Sequence, residues 1–253
     1  MMTSDSNINI IRVAETDSTS KEIVRELGDG VQSSKYISVL SADYQTAGRG
    51  QLGSRWEAEH GKNLLFSLMA WPVGVPVGRQ FRLSQTMAVA VRDALASYAD
   101  GFTIKWPNDI YFGGGKVCGT IIETIWKGGM VERFVMGVGI NVNQRVFLGD
   151  APNPLSLWQI VGRETDRDEL LGRVLERFAA LYGQLQAGDE TEVVRCYDNR
   201  LLWREGMHRY SDKDGEFEAE FVSVAPDGRL TLRDADGRER RYYFKEVKHV
   251  LKG

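Results

Sequence analysis

Cysteine and histidine are both scarce in this chain of 253 residues, and each scarcity excludes something. The two cysteines, Cys118 and Cys196, stand far apart and outside any CxxC, which argues against a thiolate zinc site and against a disulfide-stapled secreted fold. The three histidines, His60, His208 and His249, share no metal-ligand spacing, so no protein-held metal is expected. No apolar run approaches the ~18 residues that would cross a bilayer. Residues 1–7 lack the basic segment and apolar core of a signal peptide, so neither membrane nor export is expected and the chain should stay in the cytoplasm. An excess of one charge is also missing. With 32 Lys+Arg against 35 Asp+Glu the formal net charge is −3, far from the positive field of a dedicated nucleic-acid binder.

What is present is ordinary globular composition, 42% hydrophobic and 26% charged, in a length that suits one large domain plus a small one. Period-2 patterning predicts strands at 7–13, 36–42, 63–71, 102–106, 109–112, 116–126 and 132–141. Thr19-Ser20-Lys21-Glu22 has capping-box spacing ahead of a short helix over 20–27. Leu83, Met87, Ala90, Ala94 and Tyr98 repeat at helical spacing, as do Leu171, Val174, Phe178, Leu181 and Leu185 in a block starting near Arg167. A shorter helix is expected over 191–202. The absence of a regular βαβ period points to α+β with a mixed or antiparallel sheet. After Trp203 the texture changes to short strands separated by Asp214-Gly215, Asp227-Gly228 and Asp236-Gly237 turns, which predicts a small β-barrel. The expected domains are therefore 1–203 and 204–253. The second has equal numbers of basic and acidic side chains, and either a solvated strand face or a partner-binding role fits it.

Several short stretches have the residue types of a ligand site. Gly48-Arg49-Gly50-Gln51-Leu52-Gly53 sets an arginine fork between glycines that let backbone N–H groups approach an anion, although a plain surface loop has the same spacing. It matches neither the phosphate loop of nucleotidases nor the dinucleotide fingerprint. Lys105-Trp106-Pro107-Asn108-Asp109 presents a carboxamide and a carboxylate at a strand end, suited to Mg²⁺ and polar nucleotide groups or to an Asx-type turn. Lys116 heads an otherwise apolar strand, either as an edge gatekeeper or as a charge aimed at a site. Gly137-Val138-Gly139-Ile140-Asn141 permits close backbone approach, with Asn141 as a polar ligand.

Taken in order, Asp17-Ser18-Thr19, Gln45-x-x-Gly48-Arg49-Gly50, Trp56, Gly61-x-Asn63-Leu64, Lys105-Trp106-Pro107-Asn108-Asp109, Lys116-x-x-Gly119 and Gly137-x-Gly139-Ile140-Asn141 closely resemble the biotin protein ligases. The resemblance runs from about Ile8 to Asn143 and is weaker beyond. It implies a class II synthetase-like catalytic domain followed by an SH3-like barrel. The implied reaction joins biotin and ATP, with Mg²⁺, into biotinyl-5′-AMP and passes the biotinyl group to a lysine of a biotin carboxyl carrier domain. By this resemblance Lys116 and Arg49 act in catalysis. Ser18, Thr19, Ser20, Gln45, Gly48, Arg49, Gly50, Gln51, Lys116 and Gly119 surround biotin. Trp56, Asn108, Asp109 and Asn141 serve ATP, with Asp109 in indirect contact with Mg²⁺.

No nucleophile of the chain's own is needed, since the carrier lysine is the acceptor. Relatives often have a second arginine where this chain has Gln51 and an asparagine where it has Ser20; the lost charge at Gln51 implies a less tightly held adenylate. The motifs begin at Asp17, so no specific DNA binding is expected. A homodimer is left open. Two rivals remain at this level: a lipoate or octanoate ligase, which needs a longer and wholly apolar slot, and a binding module whose chemistry has lapsed.

Overall fold

The computed structural model describes residues 7–28, 36–50 and 55–251. Strand β1 (Asn7–Thr16) leads through helix α1 (Thr19–Leu27) to β2 (Tyr36–Gln45), and the crossover helix makes this pair parallel. All later pairings of the main sheet are antiparallel: β3 (Leu64–Ala70), β4 (Phe102–Lys105), β5 (Asp109–Phe112), β6 (Gly115–Lys127) and β7 (Met130–Ile140). The sheet has seven strands in the order β1-β2-β3-β7-β6-β5-β4, the mixed sheet of an α+β protein.

Both faces of this sheet are covered, and the alternation along β3 shows how. Phe66, Leu68 and Ala70 join the large core beneath α2 (Phe81–Ala96) and α4 (Arg167–Gln186), whereas Met69 packs with Ile23 of α1 on the opposite face. Every residue of β3 is buried, as expected of a strand covered on both sides. Ser67 shares the α1 face with Met69. It is the one polar residue in Leu-Leu-Phe-Ser-Leu-Met-Ala, and it faces the start of α1.

The edge at β4 is closed by the chain that follows α5 (Thr191–Asp198): the Ile104 amide donates to the Arg200 carbonyl at 2.7 Å and the Leu202 amide to the Ile104 carbonyl at 2.8 Å. This pairing ends the helix four residues before the expected limit at 202. The five-residue helix α3 (Leu157–Val161), held by a Ser156–Gln159 capping box, was too short for periodicity to reveal.

The C-terminal strands β8 (His208–Asp212), β9 (Gly215–Val224), β10 (Leu230–Asp234), β11 (Glu239–Tyr242) and β12 (Lys248–His249) form an antiparallel sheet ordered β11-β10-β9-β8-β12. The glycines of the Asp-Gly turns at 215 and 237 take positive φ, which an L side chain resists. This sheet is not a separate globule on a tether. Tyr210, Leu230 and Leu232 join the large core, and the Trp106 indole N–H donates to the Gly228 carbonyl at 3.0 Å.

Candidate active site

The parallel register of β1 and β2 sets Thr16 against Gln45, so Gln45 ends beside the start of α1. Its Oε1 accepts from the Thr19 amide at 2.8 Å and from Thr19 Oγ1 at 3.1 Å. That bond replaces the expected capping box: the N-cap is Ser18, without a side-chain cap bond, and Glu22 instead accepts from Thr16 Oγ1 at 2.9 Å and pairs with Arg25. Ser67 Oγ donates to Thr19 Oγ1 at 2.8 Å and lies 2.9 Å from Ser20 Oγ. Ser18, Thr19, Ser20 and Gln45 thus line one side of a cavity, and fully buried Ser67 ties Thr19 and Ser20 together behind them. Sequence reasoning missed Ser67, although a lone polar residue inside a fully apolar strand was the signal available.

The floor of that cavity is glycine. Gly119 pairs with Gly139 across β6 and β7, and Gly137 pairs with Ser67 across β7 and β3. The Trp56 indole rests on this floor so closely that a Cβ at Gly139 would lie 2.6 Å from it and one at Gly119 2.9 Å. At Gly137 a Cβ would meet Ser20 Oγ at 2.5 Å. The remaining space is about 60 Å³ and is bordered by Ser18, Gln45, Trp56 and Lys116, enough for a few waters only. Trp56 Nε1 is buried without a hydrogen-bond partner.

Lys116 stands at the end of this cavity. Its Nζ lies 2.7 Å from Asp109 Oδ2 and 6.0 Å from the centre of the Trp56 ring. Asp109 also stands opposite Lys105 in the β4–β5 register and favours its charged form through space. Burial holds the Lys105 ammonium below its ordinary pKa, with Asp109 opposing the shift. Asp109 Oδ1 and the Oδ1 of neighbouring Asn108 are both buried without hydrogen-bond partners, while Asn108 Nδ2 donates to Ser84 Oγ of α2 at 2.9 Å. Tyr197 of α5 donates to the Pro107 carbonyl at 2.7 Å and clamps this turn from behind.

A larger groove of about 1060 Å³ adjoins the small cavity, and Arg49, Gly50, Thr120 and Ile121 border both. Its walls include Gly48 and Arg55, Phe81 and Ser84 of α2, and Asn108. The β9–β10 and β11–β12 loops of the C-terminal part contribute Asp227, Phe244 and Lys245, which sequence spacing could not have brought here. Arg49 reaches Glu123 at 3.4 Å with its side chain 45% exposed. An exposed pair of this kind is worth about 0–1 kcal/mol, so Arg49 can be redirected to a bound anion at little cost.

The structure therefore gathers Ser18, Thr19, Ser20, Gln45, Gly48, Arg49, Gly50, Trp56, Asn108, Asp109, Lys116 and Gly119 around two connected cavities. Gln51 lies outside the described residues. Asn141 is not in either cavity: it is 2% exposed and its Nδ2 donates to the Lys116 and Leu155 carbonyls at 3.3 and 3.2 Å. It fixes the backbone that carries Lys116. Trp56 borders the small cavity rather than the groove. Among the described residues, no three His, Cys, Asp or Glu side chains converge as a metal-binding group.

Residues 13–141 match the model of the Biotin/lipoate A/B protein ligase family. The chain is 33% identical over 241 residues to the biotin–[acetyl-CoA-carboxylase] ligase of Paracoccus denitrificans, covering 90% of this chain and 95% of that one. It is 30% identical over 210 residues to the bifunctional ligase/repressor BirA of Bacillus subtilis, covering 81% of this chain and 64% of that longer protein. The fold superposes on the biotin protein ligase from Aquifex aeolicus in complex with biotin and ATP with a TM-score of 0.76 at 26% identity, over 95% of this chain and 99% of that one. The chain belongs to the biotin/lipoate A/B protein ligase family, among its biotin protein ligases.

Proposed function

We propose that the chain activates biotin with ATP and transfers it to one lysine of a biotin carboxyl carrier domain. The observation that carries this reading is the pair of adjoining cavities with Arg49 on their shared border and Lys116 beside it. In the first step a biotin carboxylate oxygen bonds to the α-phosphorus of ATP and pyrophosphate departs. In the second the carrier lysine amine bonds to the acyl carbon, AMP departs, and the amine's surplus proton passes to solvent. Both reactants of the first step are anions, so the chain must supply positive charge where they meet. Lys116 and Arg49 are placed to do so.

Biotin has a compact ureido ring on an apolar body, and every polar edge it buries needs a partner. Ser18, Thr19, Ser20 and Gln45 offer donors and acceptors in one cavity wall, with buried Ser67 bonded to Thr19 behind them, which favours biotin over a wholly apolar lipoyl chain. Trp56 fills that space in the free chain, so biotin entry requires the indole to leave the glycine floor. The same indole, swung toward the groove, would give adenine a stacking surface. Closure of the Arg49 loop over the adenylate would keep water from the mixed anhydride.

Mg²⁺ would enter with the ATP phosphates. The unpartnered Oδ1 atoms of Asn108 and Asp109 fit a hard cation with oxygen ligands, and bound there it would neutralise phosphate charge. The chain divides on this reading into a catalytic part, 1–203, and a C-terminal part, 204–253, which supplies Asp227, Phe244 and Lys245 to the nucleotide groove. Its need for ATP is consistent with a cytoplasmic setting for the reaction.

The test is incubation with biotin, MgATP and an unmodified carrier domain, followed by intact mass measurement of the carrier. One biotinyl adduct is expected, absent when the acceptor lysine is replaced by arginine. Adenylate formation without any adduct would remove the carrier from the proposal and leave activation standing.

A further inference from the structure

Glu57 follows Trp56 directly, yet its carboxylate reaches away from the cavity, to the chain that leaves β7. Its Oε1 accepts from the Leu148 amide at 2.8 Å and its Oε2 from the Gly149 amide at 2.8 Å, and Gln144 Nε2 adds a contact at 3.3 Å. Hydrogen bonds to an ionised acceptor are roughly twice as strong as neutral ones. The approach is close, because a Cβ on Gly149 would lie 2.7 Å from Oε2. Buried Gln144 ties the same stretch to the approach to β3, accepting from Asn63 Nδ2 at 2.6 Å and from the Glu59 amide at 3.0 Å.

Apolar packing does not hold this stretch: Val146 is 63% exposed and Leu148 88%. Glu57 therefore joins two segments that lead straight into the small cavity, one ending in its indole wall and the other in its glycine floor. We infer that Glu57 is a positioning residue, a latch that sets the distance between Trp56 and the Gly119–Gly139 floor and so governs how tightly biotin is held. The kinetic part of this inference rests on the proposed biotin site; the latch itself does not.

Three variants test it. Glu57→Ala removes the acceptor. Gly149→Ala pushes the carboxylate away from the other end. Glu57→Gln keeps one acceptor oxygen. In the unliganded protein, the emission of Trp56, taken as the difference from a Trp56→Phe background, should shift to the red in Glu57→Ala and Gly149→Ala, and by less in Glu57→Gln. In biotin-dependent pyrophosphate exchange the first two should raise the KM for biotin about tenfold and change kcat less than about twofold. Because both variants break the same contact, the double variant should be no worse than either alone. Unchanged Trp56 emission, additive effects in the double variant, or a fall in kcat at constant KM would each overturn the latch. If the emission shifts but the unaltered chain shows no biotin-dependent exchange, the latch stands and the functional reading falls.

Discussion

Asp109 pairs with Lys116 at 2.7 Å and stands opposite Lys105 in the β4–β5 register, with its second carboxylate oxygen buried and unpartnered. Lys116 is thus held by an internal partner that a substrate carboxylate would have to replace. Lys116→Ala should lower kcat/KM for adenylation by about 10²–10³, the usual effect of deleting one charge-stabilising donor. Steady-state exchange kinetics on a variant with an unchanged melting temperature would check this, and full turnover would remove Lys116 from the mechanism. Gly139→Ala sets a methyl 2.6 Å from the Trp56 ring and should displace the indole, a change visible in its emission even without substrate. At this scale the sequence was legible where a motif required a special residue, as with the glycines and Lys116. It was silent on burial: Asn141 reads as a ligand, and in the fold its Nδ2 donates to two carbonyls while its Oδ1 is buried without a hydrogen-bond partner.

Elements were easier to locate than to delimit. The strands and long helices lie where periodicity placed them because their apolar faces are continuous. Their ends moved where tertiary bonds intervened, as when Gln45 took over the capping of α1 and when residues 200–202 paired with β4. Register was hidden altogether; only the folded sheet aligns Gly119 with Gly139 to make a floor. The C-terminal sheet buries a histidine whose protonation is tied to folding. His249 packs against Trp203 at 5.0 Å and Tyr210 at 5.1 Å, and burial lowers its pKa to about 3, with Lys105 and His208 adding repulsion. In the unfolded chain it takes up a proton near 6.5, so between these values the unfolded state binds more protons and stability falls as pH drops. The contribution approaches about 1.4 kcal/mol per pH unit across that window. Urea midpoints measured from pH 7 to 4 should decline less steeply in His249→Phe than in the unaltered chain. Identical slopes would contradict the assignment.

Across the whole molecule, the large groove is built by the main sheet and by loops of the C-terminal part. The family resemblance implies that this part helps cover ATP or dock the carrier, but a segment with no net charge and no motif does not say which of its residues would do so. Trp106 links the two parts, bonding Gly228 and meeting Phe244 edge-on at 5.9 Å. Lys245 sits on this wall with φ of 74°, a conformation that a lysine adopts only under local constraint. Lys245→Ala should raise the KM for ATP several-fold and leave that for biotin unchanged, since it borders the groove and not the small cavity. Equal changes in both constants would argue for a general loosening instead.

Adenylation of biotin is reversible, so isotope exchange between pyrophosphate and ATP reads it without the carrier. With Mg²⁺ and equal concentrations of biotin or lipoate, the account predicts exchange with biotin and none with lipoate. Exchange with lipoate alone would keep the fold and overturn the substrate. Silence with both, in a folded sample, would contradict the enzymatic reading itself.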